Sequence, residues 1–85
     1  MERRQRQYRG ISVRAAIGYL ETLGGEQTDD ATVESDDWLV TITTDTVSIG
    51  PTLKLTELTM RFEGEDETLD DLIEKFSQKA MRAGG

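Results

Sequence analysis

Between Trp38 and Glu63 run twenty-six residues rich in Val, Ile, Leu, Thr, Met and Phe, and this stretch holds the chain's one Trp and one Pro. It reads as a sheet. The segments on either side each carry a single helical stripe, so the simplest fold is α+β: an antiparallel sheet of three to four strands with an N-terminal and a C-terminal helix on one face. Eighty-five residues allow one domain and a small core. We divide the chain into a flexible basic arm, residues 1–10, and a domain spanning 11–85.

Ser12 is the expected N-cap of the first helix, in which Val13, Ala16, Ile17, Leu20 and Leu23 follow the i, i+3, i+4, i+7 spacing of one apolar stripe. Gly24-Gly25 ends it by supplying a positive φ, and Glu26 to Asp30 read as a polar connection. Alternation over Ala31–Glu34, a turn at Ser35-Asp36-Asp37 and renewed alternation at Trp38, Val40 and Ile42 form a hairpin signal. Thr44-Asp45 reads as the next tight turn, followed by Val47 and Ile49 and then an interruption at Gly50-Pro51.

Leu53 and Leu55 occupy odd positions, whereas Leu58, Met60 and Phe62 occupy even ones. Side chains in a strand alternate faces, so this change of parity implies either a bulge near Thr56-Glu57 or a strand that starts only at about Thr56. The second helix follows an acidic loop at Glu63–Glu67. Thr68–Asp71 resembles a capping box, and Leu69, Leu72, Ile73, Phe76 and Ala80 form the stripe. Lys75, Lys79 and Arg82 lie toward its end, where the helix dipole favours cations.

Charge is distributed unevenly. Residues 1–14 hold five Arg against Glu2, a net +4, and residues 15–85 hold five cations against sixteen acids, a net −11. Three Lys against seven Arg, with many acids and Thr, suggest a surface hydrated in concentrated salt, hence a halophilic source and a cytoplasmic location. No stretch has the roughly 20 apolar residues of a membrane span, and the first ten residues are too polar for a secretory leader.

The chain has neither Cys nor His. That removes thiolate and imidazole metal sites, Cys nucleophiles and Ser-His-Asp triads. We expect no catalytic residue, cofactor or metal site. The acids Glu63, Glu65, Asp66, Glu67, Asp70 and Asp71 would suit a hard cation, but their spacing matches no EF-hand loop and helix-dipole complementarity accounts for them.

Three features point to partners instead. Arg3, Arg4, Arg6 and Arg9, with Tyr8, suit phosphates and bases, although contacts of that kind weaken steeply in salt and the same Arg can pair with the acidic body. Thr41, Thr43, Thr59 and Arg61 point away from the helices and form a sheet face that suits a protein partner or a second copy. Gly84-Gly85 serves either as a helix terminator or as the unhindered tail that sulfur carriers and ubiquitin-like modifiers present to adenylating enzymes.

The stretches Ser48-Ile49-Gly50-Pro51, Leu55–Glu65 and Lys79–Gly85, together with Tyr8-Arg9-Gly10-Ile11-Ser12, resemble a group of small haloarchaeal proteins of uncharacterised function. That group is similar to the C-terminal domain of MoaD-related proteins, whose N-terminal half resembles the sulfur-carrying subunit of molybdopterin synthase. The resemblance implies an α-sheet-α domain, a haloarchaeal cytoplasm and a link to sulfur-carrier or molybdenum-cofactor pathways. It carries over no catalytic residue. The expected function is a non-enzymatic interaction or accessory domain, with a carrier acting through Gly85 as the alternative.

Overall fold

Trp38, Val40 and Ile42 are buried while Leu39, Thr41 and Thr43 between and after them are not, because they lie on one strand with one covered face. In a computed structural model, which describes residues 2–84, the elements run β1 (Glu2–Arg9), α1 (Val13–Thr22), β2 (Glu26–Asp29), β3 (Thr32–Glu34), β4 (Trp38–Ser48), β5 (Lys54–Gly64) and α2 (Asp66–Gly84). The five strands form one antiparallel sheet in the order β1-β5-β4-β3-β2. The fold is α+β, as expected, with more strands than expected.

Helix α1 follows the sequence closely. The Ser12 hydroxyl accepts the Ala15 N–H at 3.1 Å, and Gly24 takes φ +105° after the last turn. Ala16, Ile17 and Leu20 are buried, with Val13 and Leu23 packed at the rim. Helix α2 starts two residues before the expected capping box, with the Leu69 N–H donating to the Glu65 carbonyl and Asp66 and Glu67 in the positive first turn. Leu69, Leu72, Phe76 and Ala80 meet Val33, Val40, Ile42, Leu58, Met60 and Phe62 in one core. All the sheet's contributions from β4 and β5 have even numbers, so both helices cover the same face.

The expected flexible arm is instead the edge strand β1. Its sequence shows no apolar alternation, yet it pairs with β5 along its whole length, from Glu2 opposite Gly64 to Arg9 opposite Glu57. Backbone pairing and cross-strand charge pairs replace the missing apolar face. The expected polar connection after α1 likewise contains strand β2, which is exposed throughout and pairs with β3.

The largest correction concerns the middle of the sheet. No turn occurs at Thr44-Asp45; β4 continues to Ser48 and pairs with β5 in unbroken register, from Trp38 opposite Gly64 to Ser48 opposite Lys54. The turn lies beyond, where the Ile49 N–H donates to the Leu53 carbonyl at 2.7 Å. No bulge falls near Thr56-Glu57, and β5 begins before Thr56. The change of parity is real, but it is made by the side chains. Even positions are apolar where helices cover the sheet, and odd positions are apolar in the part of the hairpin that extends past them.

Candidate functional site

Odd-numbered residues of β1, β4 and β5 form the outer face, away from the helices. The register arranges them in rows: Arg3, Glu63 and Leu39; Gln5, Arg61 and Thr41; Gln7, Thr59 and Thr43; Arg9, Glu57 and Asp45; then Leu55 opposite Val47. Thr41, Thr43, Thr59 and Arg61 thus sit side by side, Thr43 and Arg61 exposed and Thr41 and Thr59 half-buried by their neighbours. Two ion pairs brace the rows, Arg3 Nε to Glu63 Oε1 at 3.1 Å and Arg9 Nε to Glu57 Oε2 at 2.8 Å.

The four arginines expected to act together are divided. Arg3 and Arg9 lie on the outer face, whereas Arg4 and Arg6 are on the helix side. Arg4 spans to the first turns of α2, pairing with Asp70 and, at 3.1 Å, with Asp66. Those hydrogen bonds, to Asp70 first and Asp66 second, raise its pKa above the ordinary arginine value. Arg6 donates to the Gln5 carbonyl at 2.8 Å. The N-terminal charges therefore fasten a strand more than they form a continuous basic stripe.

The acids are dispersed in the same way. Glu63, Asp66, Asp70 and Asp71 pair with Arg3, Arg4, Arg4 and Lys75, and among the described residues no three carboxylates gather as metal ligands. A depression of about 400 Å³ between the β3–β4 turn and α2 is lined by Asp37, Trp38, Glu67, Asp71, Leu72 and Lys75. Of its acids, Glu67 and Asp71 come from α2 and Asp37 from the turn, along an open groove. Asp29, at the β2–β3 turn, has its pKa lowered because its carboxylate accepts the Ala31 N–H at 2.8 Å, with the Thr32 side chain as a second donor.

A model of archaeal MoaD-like proteins matches residues 4–85 of this sequence, almost its whole length. The chain belongs to the archaeal MoaD-like family. No curated protein matches it. Membership places the chain among small proteins of the sulfur-carrier or molybdenum-cofactor type. Within this family member, α2 extends to Gly84, while Gly85 lies outside the described residues. No described helix is long and apolar enough to cross a membrane.

Val47 and Leu55 on the outer face, with Ile49 and Leu53 at the adjoining turn, went unremarked in the sequence as a group. Ile49, Leu53 and Leu55 are 43%, 65% and 38% exposed, which leaves Met81 as the one other exposed large hydrophobic side chain among the described residues. The signal was the change of parity itself.

Proposed function

We propose that this family member is a non-catalytic interaction domain of a halophilic cytoplasm, serving the sulfur-carrier or molybdenum-cofactor chemistry of its family by holding a protein through the outer face of its sheet. The observation that carries this reading is the composition of that face. The outward residues of β1, β4 and β5 include three cations, Arg3, Arg9 and Arg61, and three acids, Asp45, Glu57 and Glu63, in a chain of net charge −7. The part of the face on β1, β5 and β4 is charge-balanced and Thr-rich and ends in an apolar patch, a surface suited to contact, while Glu34 and Glu26 extend the face at the β3 and β2 end. The remainder of the chain carries the acid excess that keeps it hydrated.

The test is purification from the host in about 2 M salt, where surface repulsion is screened, followed by mass spectrometry of the bound proteins and of the chain's own C-terminus. One stoichiometric partner, lost on Thr43→Arg or Thr59→Arg and kept when Gly84-Gly85 is deleted, is the expected result. Family membership also favours a second reading, a sulfur carrier acting through Gly85. It requires a thiocarboxylate or a conjugate at Gly85, loss of function on deleting Gly84-Gly85, and indifference to the sheet face.

A further inference from the structure

Strands of eleven residues span about 36 Å, and the β4–β5 hairpin sets the long dimension of a molecule measuring 43 × 24 × 20 Å. Its far end projects past its neighbours. Strand β1 reaches β5 only as far as Glu57, with a last hydrogen bond from the Gly10 N–H to the Thr56 carbonyl, and β3 reaches β4 only as far as Thr41, with the Ile42 N–H donating to Ala31. Beyond those points the hairpin is bare on both edges. Its helix-side face carries Thr44, Thr46, Ser48, Lys54 and Thr56, all exposed and polar. Its outer face carries Val47 opposite Leu55, with Ile49 and Leu53 at the turn.

A hairpin of this kind fails to bury its own apolar side chains, and two-stranded ribbons are marginal without a covered face. We infer that the outer face of the hairpin end is the contact surface for a second copy of this chain, the two patches of Val47, Ile49, Leu53 and Leu55 packing against each other across a twofold axis. This rests on the reading of the sheet face as an interaction surface and names its occupant.

Charge selects a copy. Two chains of net −7 repel each other. On the three strands adjoining the patch, β1, β5 and β4, three outward cations balance three acids, and the nearest row holds Arg9 beside Glu57 and Asp45. An isologous contact needs a surface compatible with itself, which a row carrying both signs meets, because Arg9 of one copy can face Asp45 of the other, and a uniformly acidic row does not. The free β4 edge from Thr43 to Ser48 carries no Lys, Pro or bulge, the devices that keep an edge strand from pairing, and Asp45 is its one charge. Salt gives the contact its signature. Screening removes the residual repulsion between copies while burial of apolar side chains is undiminished or strengthened, so association rises with salt.

The experiment is sedimentation equilibrium on the full chain from about 0.2 to 2 M KCl, concentrations chosen to change the screening length severalfold. The wild type is expected to shift from the 9.5 kDa monomer toward twice that mass as salt rises. Leu53→Asp, at a site too exposed to matter for the core, should weaken dimerisation by roughly 100-fold, since two buried leucines are lost per dimer. Far-UV circular dichroism and an unfolding midpoint unchanged at the low-salt end, where both proteins are monomers, show that the variant folds, and Leu53→Met should restore the dimer. A wild type that stays monomeric throughout overturns the inference, as does a dimer indifferent to Leu53→Asp. A monomer whose stoichiometric partner protein is released by Leu53→Asp overturns self-association and leaves the interaction-domain reading standing. A salt-promoted dimer with no partner protein does the reverse.

Discussion

Tyr8 Oη lies 2.9 Å from Ser77 Oγ, a hydrogen bond between the first strand and the last helix across 69 positions of sequence. The same ring meets Phe76 edge to face at 5.0 Å, and Phe76 also contacts Tyr19 at 6.0 Å and Phe62 at 6.4 Å. Phe76 is therefore where β1, α1, β5 and α2 converge. Tyr8→Phe should cost about 1 kcal/mol by removing one hydrogen bond. Tyr8→Ala should cost roughly 2 to 3 kcal/mol by also removing the ring contact. Urea unfolding at fixed salt measures both, and equal losses for the two variants would mean that the ring contributes nothing.

Gly25 follows α1 where the chain passes close over the core. A Cβ there would lie 2.4 Å from Trp38 Cη2 and 2.6 Å from Val33 Cγ1, both on buried side chains. Gly25→Ala should destabilise by about 1 to 3 kcal/mol through overpacking. Gly18→Ala is the matched control, in α1 with open space around the site, and should stabilise by roughly 1 kcal/mol. The two midpoints should move in opposite directions under one set of denaturant conditions.

Acid sensitivity should localise to the β2–β3 turn. Asp29 has a pKa lowered from 3.8 by the Ala31 N–H, so its contribution to stability is present above the unfolded value and is lost as pH falls through the lower folded one. Asp29→Ala should be less stable than the wild type at neutral pH, and the difference should close below about pH 4. Thermal unfolding of both proteins at stepped pH distinguishes this from a difference that persists at all pH values.

Arg4 is the sole partner of Asp66 and Asp70 in the ion pairs described for α2's first turns. Arg4→Ala releases both acids into a chain already at −7. The variant's melting temperature should fall most in dilute buffer and approach the wild-type value in about 1 M salt, where the Debye length is about 3 Å. A deficit that is constant with salt would assign the loss to packing of the arginine stem.

Periodicity made the helices legible because each buries one stripe, and Ser12, Gly24 and the apolar positions all agree on where α1 lies. Strand β1 was obscured because it has no apolar period. Its pairing is written in charge instead: Arg3 and Arg9 are six residues apart, as are Glu57 and Glu63, which they meet in antiparallel order. That match is visible only once the strands are known to be neighbours. Thr41, Thr43, Thr59 and Arg61 were placed on one face by parity alone, and the register aligns them. At the hairpin end parity misled, since it reports which side is apolar and a bulge was the ordinary way to keep that side constant. The apolar side changes where α1 and α2 no longer cover the strands, and local sequence does not record where a helix ends in space.

The position of β1 also imposes an order of events on the growing chain. Residues 2–9 are made well before their partner strand, which occupies 54–64, and before the helix that receives Tyr8 and Arg4, which occupies 66–84. Until residues 54–64 have been made, β1 has no strand of this sheet to pair with. An apolar segment left waiting in that way would invite aggregation. A segment of four arginines and two glutamines stays solvated through the delay, so the composition that hides β1 in the sequence also lets it dock last.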